Sequence, residues 1–161
     1  MDLLLDLAAR LPQRAVAAGE VLITEGDASG QLFVLLDGAL RVEKGGVAIA
    51  TIAEPGGCVG EVSLLLGVRA TADVVASAPS TVAAIDDAEN ELAANPDLVL
   101  AVARMLASRV QGMTTYLVDL QHQYADHDGG LGMVGTVLGT LLHKSSTRSE
   151  LGSERDPHPE Y

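Results

Sequence analysis

Apolar positions change their spacing twice along the chain. From Asp2 to Leu11, Leu3, Leu4, Leu7 and Leu11 recur at helical intervals, and Pro12 ends the run because proline disfavours the helical conformation in the residue before it. The pattern predicts a short amphipathic helix. Between about residues 14 and 86 come short strand-like runs at Val21–Thr24, Leu32–Leu36, Leu40–Glu43, Val47–Ala53, Thr71–Ala76 and Thr81–Ile85. Turn residues separate them: Glu25-Gly26-Asp27-Ala28-Ser29-Gly30, Asp37-Gly38, Lys44-Gly45-Gly46, Pro55-Gly56-Gly57 and Ala78-Pro79-Ser80. Only Gly60–Gly67 breaks the strand rhythm. Closely spaced strands without intervening helices predict an antiparallel roll, sandwich or barrel rather than a doubly wound parallel sheet.

After Asp86 the period returns to that of a helix. A short piece over Asp87–Ala94 precedes a long helix at about 96–124, with Asn95 as its cap, Pro96 in its first turn and Asp97 favourable to its dipole. Leu98, Val102, Met105, Arg109, Gly112, Tyr116 and Gln123 alternate three and four apart along it, with Leu106, Val110, Met113, Leu117 and Leu120 beside them. The apolar stripe is wider than one face of a β-roll needs, which predicts a homodimer through this helix. His127-Asp128-Gly129-Gly130 interrupts it, residues 128–143 read as a helical extension built on Leu131–His143, and 144–161 as a disordered polar tail. One domain over residues 1–127 is the expected organisation.

Composition narrows the chemistry. Of the 161 residues 48% are apolar, but almost all are Ala, Val, Leu and Ile, so aromatic stacking is not the main grip on a ligand. The formal charge is −12, which repels a nucleic-acid backbone in the absence of a basic patch. The lone Cys58 forms no internal disulfide and reads as a small buried side chain; with no signal peptide and no run of ~20 apolar residues, a cytoplasmic, non-membrane protein is expected. His122, Asp126, His127 and Asp128 lack a third firm ligand and read as a solvated helix end, so no metal is expected. Ser63 lacks the glycines of a nucleophile elbow and no histidine lies in the β region, so no enzyme is expected either.

The segment from Pro55 to Val74 carries the candidate chemistry. A glycine that lets backbone N–H groups approach a ligand, followed by a turn of helix, makes an anion site from peptide dipoles. If that cradle holds a phosphate, Glu61 would repel it; its useful partner is a ribose hydroxyl, while a guanidinium such as that of Arg69 neutralises the phosphate.

In the order helix, β-roll, Gly-Glu cassette, two strands and long helix, the chain resembles the cyclic nucleotide-binding domains of catabolite-activator-type regulators, kinase regulatory subunits and gated channels. Glu25-Gly26-Asp27, Leu36-Asp37-Gly38, Pro55-Gly56 and Gly60-Glu61-Val62-Ser63-Leu64 carry the resemblance, which runs from about Asp2 to Gln123. It implies a mainly β protein with flanking helices: an antiparallel double-stranded β-helix, or jelly-roll-like β-roll, plus a long C-terminal helix. It also implies a ligand site of Gly60, Glu61, Val62, Ser63, Arg69, Ala70 and Thr71, with Met113, Thr115 and Tyr116 facing the base. Glu61 matches the ribose-binding carboxylate. A gap-free alignment with the family's R-[ST]-A-x-V puts Ala70 at the arginine, Thr71 at the hydroxyl position, Ala72 at the alanine and Val74 at the valine, leaving Arg69 one place early. A loop one residue shorter would instead aim Arg69 into the pocket, since one residue of slip turns a strand side chain to the other face.

The resemblance thus implies a sensor or regulatory module for a cyclic nucleotide, cAMP before cGMP, with no other cofactor. After the long helix only Leu131–His143 and a polar tail remain, too little for a helix-turn-helix, so no DNA binding is expected and the module is read as acting on a protein partner in trans. The alternative is a degenerate β-roll that has lost its nucleotide and serves as a dimerisation or protein-interaction module.

Overall fold

The structure, a computed structural model, describes residues 3–28 and 30–123. The extension at 128–143 and the tail at 144–161 lie outside the described residues. The chain packs as two units, residues 1–109 and 110–161.

In the first unit a short helix, α1 (Leu3–Ala8), is followed by strands β1 (Gln13–Val16), β2 (Val21–Ile23), β3 (Leu32–Asp37), β4 (Leu40–Lys44), β5 (Val47–Ile52) and β6 (Cys58–Val59). Helix α2 (Glu61–Leu66) interrupts them, β7 (Asp73–Ala76) and β8 (Ser80–Ile85) complete the roll, and α3 (Ala88–Ala94) leads into α4 (Pro96–Gln123), which runs on into the second unit. All pairings are antiparallel, in two four-stranded sheets ordered β1-β8-β3-β6 and β2-β7-β4-β5. This is the expected β-roll with its long helix. The segment at Gly60–Gly67, which breaks the strand rhythm, is α2 with its two flanking glycines. Three details differ from the expected elements. Strand β1 is not among the expected runs, the two-residue β6 is too short to register as one, and the strand expected from Thr71 begins at Asp73.

Strand β3 explains how one roll supports two cores. Its Phe33 and Leu35 face Leu22, Leu40, Val59, Val74 and Val82, whereas Leu32 and Val34 pack with Leu4, Cys58, Ile85, Leu92, Leu98 and Val102. A strand covered on both faces reads as a continuous apolar run, as Leu32–Leu36 does. The β4–β5 hairpin turns at Gly45 and Gly46, with φ of 56° and 77°, the paired positive values that a tight hairpin of this twist requires. Helix α4 begins as its sequence predicts: Leu98 N donates to Asn95 Oδ1 at 3.2 Å, satisfying one of the first turn's open N–H groups. No helix among the described residues is long and apolar enough to cross a membrane.

Candidate functional site

The cassette is built around Gly60, which caps α2 with φ of +93°. A Cβ at this position would lie 2.4 Å from the Gln31 carbonyl oxygen, so only glycine allows β6 to turn so tightly into α2. Beyond the turn, α2 buries Glu61 and Ser63. Ser63 Oγ donates to Gly60 O at 3.2 Å, which folds the hydroxyl back onto its own helix, and Leu64 N donates to the same oxygen. Glu61 is 3% exposed, while Val62, next along the helix, is 40% exposed.

A carboxylate buried this deeply needs a partner. Glu61 has one in Arg109 of α4, whose Nη1 donates to Glu61 Oε1 and whose Nη2 donates to the Cys58 carbonyl oxygen at 2.6 Å. Arg109 thus ties α4 both to the cassette carboxylate and to the strand that leads into it. Burial pushes the Glu61 carboxyl above its usual range, and the Arg109 charge and hydrogen bond work against that rise. Burial also pushes the Cys58 thiol well up, followed by the effect of the Glu61 charge, so Cys58 stays a protonated packing residue.

Residues 69–70 are stitched to the Glu25-Gly26-Asp27 turn. Ala70 N donates to Asp27 O at 3.0 Å, Gly26 N donates to Ala70 O at 2.8 Å, and Arg69 Nη1 donates to Gly26 O at 2.9 Å. The two side chains diverge. Ala70 is 5% exposed and, with Gly60 and Ser63, lines a small cavity of about 120 Å³, whereas Arg69 is exposed and spends a guanidinium hydrogen on a backbone carbonyl. Thr71 is exposed. Met113, Thr115 and Tyr116 lie on the part of α4 that belongs to the second unit; Met113 and Tyr116 are exposed, and Thr115 Oγ1 donates to Gln111 O within the helix.

The structure therefore gathers Gly60, Ser63 and Ala70 around one cavity and turns Glu61 toward Arg109. Sequence reasoning missed Arg109 as a functional residue. The signal was an arginine at an apolar-stripe position of α4, where a long charged side chain needs a buried partner. Among the described residues no cluster of His, Cys, Asp or Glu could hold a metal ion.

A family model described as "Cyclic nucleotide-binding domain" matches residues 13–92. Among solved structures, one concerning a cyclic-GMP-dependent signalling pathway that regulates bacterial phytopathogenesis aligns with 25% identity and a TM-score of 0.56 over 67% of this chain and 91% of the other. The N-terminal domain of a transcriptional regulator from Streptomyces coelicolor A3(2) aligns with 24% identity and a TM-score of 0.50, covering 67% of this chain and 81% of the other. The crystal structure of a "Putative Cyclic nucleotide-binding protein from Geobacter metallireducens GS-15" aligns with 24% identity and a TM-score of 0.53, covering 65% of this chain and 83% of the other. No curated protein matches the chain.

Proposed function

Residues 13–92 belong to the cyclic nucleotide-binding domain family, and from that membership we propose that the protein is a regulatory module that binds a cyclic nucleotide, cAMP in preference to cGMP, and signals to a protein partner through α4. The observation that carries this reading is the Glu61–Arg109 pair. Glu61 is the cassette carboxylate suited to a ribose 2′-hydroxyl, and it is held by Arg109 of α4. A ligand hydroxyl at Glu61 competes with Arg109, so occupancy and the setting of α4 share one carboxylate. Such coupling shifts a population only as far as the ligand's affinity differs between the two settings. Calorimetric titration with cAMP and cGMP tests it: saturable binding at micromolar concentration, tighter for cAMP, is expected, and no heat from either at millimolar concentration would refute it.

A second reading is favoured by Ala70. The position that aligns with the family's phosphate-binding arginine is a buried alanine, and Arg69 is engaged with Gly26 O. On that reading the roll holds no nucleotide and serves as an interaction module. Either way α4 exposes Val110, Met113 and Tyr116 at three-residue spacing, which supports a homodimer through this helix. Sedimentation equilibrium at micromolar concentration is expected to show a dimer, and Met113→Glu to shift it toward monomer.

A further inference from the structure

We propose that the protein has a second small-molecule site, in the cavity between the turn after β5 and the first half of α4, which takes an amphipathic molecule bearing one negative charge, with Arg104 as its anchor. The cavity measures about 620 Å³, within the range of small-ligand sites. Its lining joins apolar Ile52 and Met105 to the polar side chains of Arg104, Ser108 and Arg109, all within the first unit.

Charge is the informative feature. The chain holds 10 basic residues against 22 acidic ones. Arg14, Arg41 and Arg109 are paired with carboxylates and Arg69 with a carbonyl, whereas the side chains of Arg10, Lys44 and the exposed Arg104 have no hydrogen bond or ion pair among the described residues, and of these three only Arg104 lines the cavity. Ser108, one helical turn further on, likewise presents a hydroxyl without a partner among them. A guanidinium beside a hydroxyl on one helix face is a donor pair for a carboxylate, sulfonate or phosphodiester. Ile52 and Met105 offer that molecule's apolar body a surface. Glu54 also lines the cavity and repels a second negative charge, which is why the occupant is a monoanion. Because Arg109 lines this cavity while holding Glu61, an occupant here also touches the residue that guards the cassette.

This site does not depend on the cyclic-nucleotide reading, and its test separates the two. The probe is 8-anilinonaphthalene-1-sulfonate, a fluorescent amphipathic monoanion, titrated into the full chain with amide shifts followed by NMR. Shifts are expected at Ala53, Gly56 and Gly57, octanoate should compete, and Arg104→Gln should weaken binding five- to tenfold, with Lys44→Gln as a control that leaves it unchanged. Equal affinity in Arg104→Gln, or shifts confined to Val47–Ala50 or to α4 beyond Arg109, would overturn the site. Titration with cAMP forms the second arm. Shifts at Gly60 and Glu61 that persist in Arg104→Gln leave both sites standing, whereas cAMP shifts at 53–57 lost in Arg104→Gln would make this cavity the nucleotide's own and refute a second site.

Discussion

Replacing Arg109 with methionine is expected to destabilise the protein by about 3 kcal/mol at neutral pH, and the loss is expected to shrink on acidification. Removing one partner of a buried ion pair costs ~3–5 kcal/mol, because the other charge is left uncompensated. Glu61 is buried at 3% exposure, but the Arg109 side chain is 36% exposed, so water screens part of the interaction and the lower end of that range applies. Burial already raises the Glu61 pKa in the folded protein above its reference of 4.5. The folded state then binds the proton more tightly than the unfolded chain, and stability falls as pH rises from 4.5 through the folded value. Without Arg109 nothing opposes that rise except the backbone hydrogen bond, so the penalty deepens above the folded pKa and vanishes below 4.5. Urea unfolding of both proteins at pH 7.5 and near pH 4.5 checks this. A gap independent of pH would mean that packing of the arginine stem, not its charge, was lost. Glu61→Gln in the Arg109→Met background should restore part of the stability at neutral pH, since an amide can be buried at lower cost than a carboxylate.

The pair also shows where sequence reasoning stops. Alternation and turn residues are local properties, so the strands, the two sheets' shared antiparallel character and the long helix are legible from the chain. Leu32–Leu36 announced a strand, and Asn95-Pro96 marked the start of α4. The cassette could be placed because Gly60-Glu61 is a contiguous motif. Arg109 could not, because it lies 48 residues from Glu61 and only the return of α4 across the cassette brings them together. Strand β1 and the two-residue β6 escaped notice because they owe their strand geometry to pairing with β8 and β3, not to any pattern of their own. The register at residues 69–70 also needed the fold. Three hydrogen bonds to the Glu25–Asp27 turn decide which of two neighbouring side chains lies inward, and nothing in the order Arg69-Ala70 encodes that choice.

Those side chains set the last expectation, which assigns the ligand's two polar ends. If the module binds cAMP as proposed, Glu61→Gln should weaken binding by roughly 10- to 100-fold, the loss of a hydrogen bond to a charged acceptor at ~1.5–3 kcal/mol. The 2′-deoxy analogue should bind the unaltered protein more weakly than cAMP and be indifferent to Glu61→Gln, because it never used the carboxylate. Arg69→Ala, in contrast, should change cAMP affinity less than about threefold, an effect no larger than that of one exposed hydrogen bond. Its guanidinium is exposed and bonded to Gly26 O, while the inward position beside Gly60 and Ser63 belongs to Ala70. A bidentate phosphate contact from Arg69 would instead cost ~2–5 kcal/mol when removed, tens-fold to thousands-fold in affinity. Such a loss would mean that Arg69 leaves the Gly26 carbonyl when ligand arrives. With Arg69 outward, the cyclic phosphate must be held mainly by backbone N–H groups around Gly60, a weaker grip than a guanidinium gives. Thr71→Ala then becomes informative, because its hydroxyl can add only about 1 kcal/mol. Isothermal titration of the three variants with cAMP and its 2′-deoxy analogue separates these contributions, and equal binding of both nucleotides to every variant would remove Glu61 from the site.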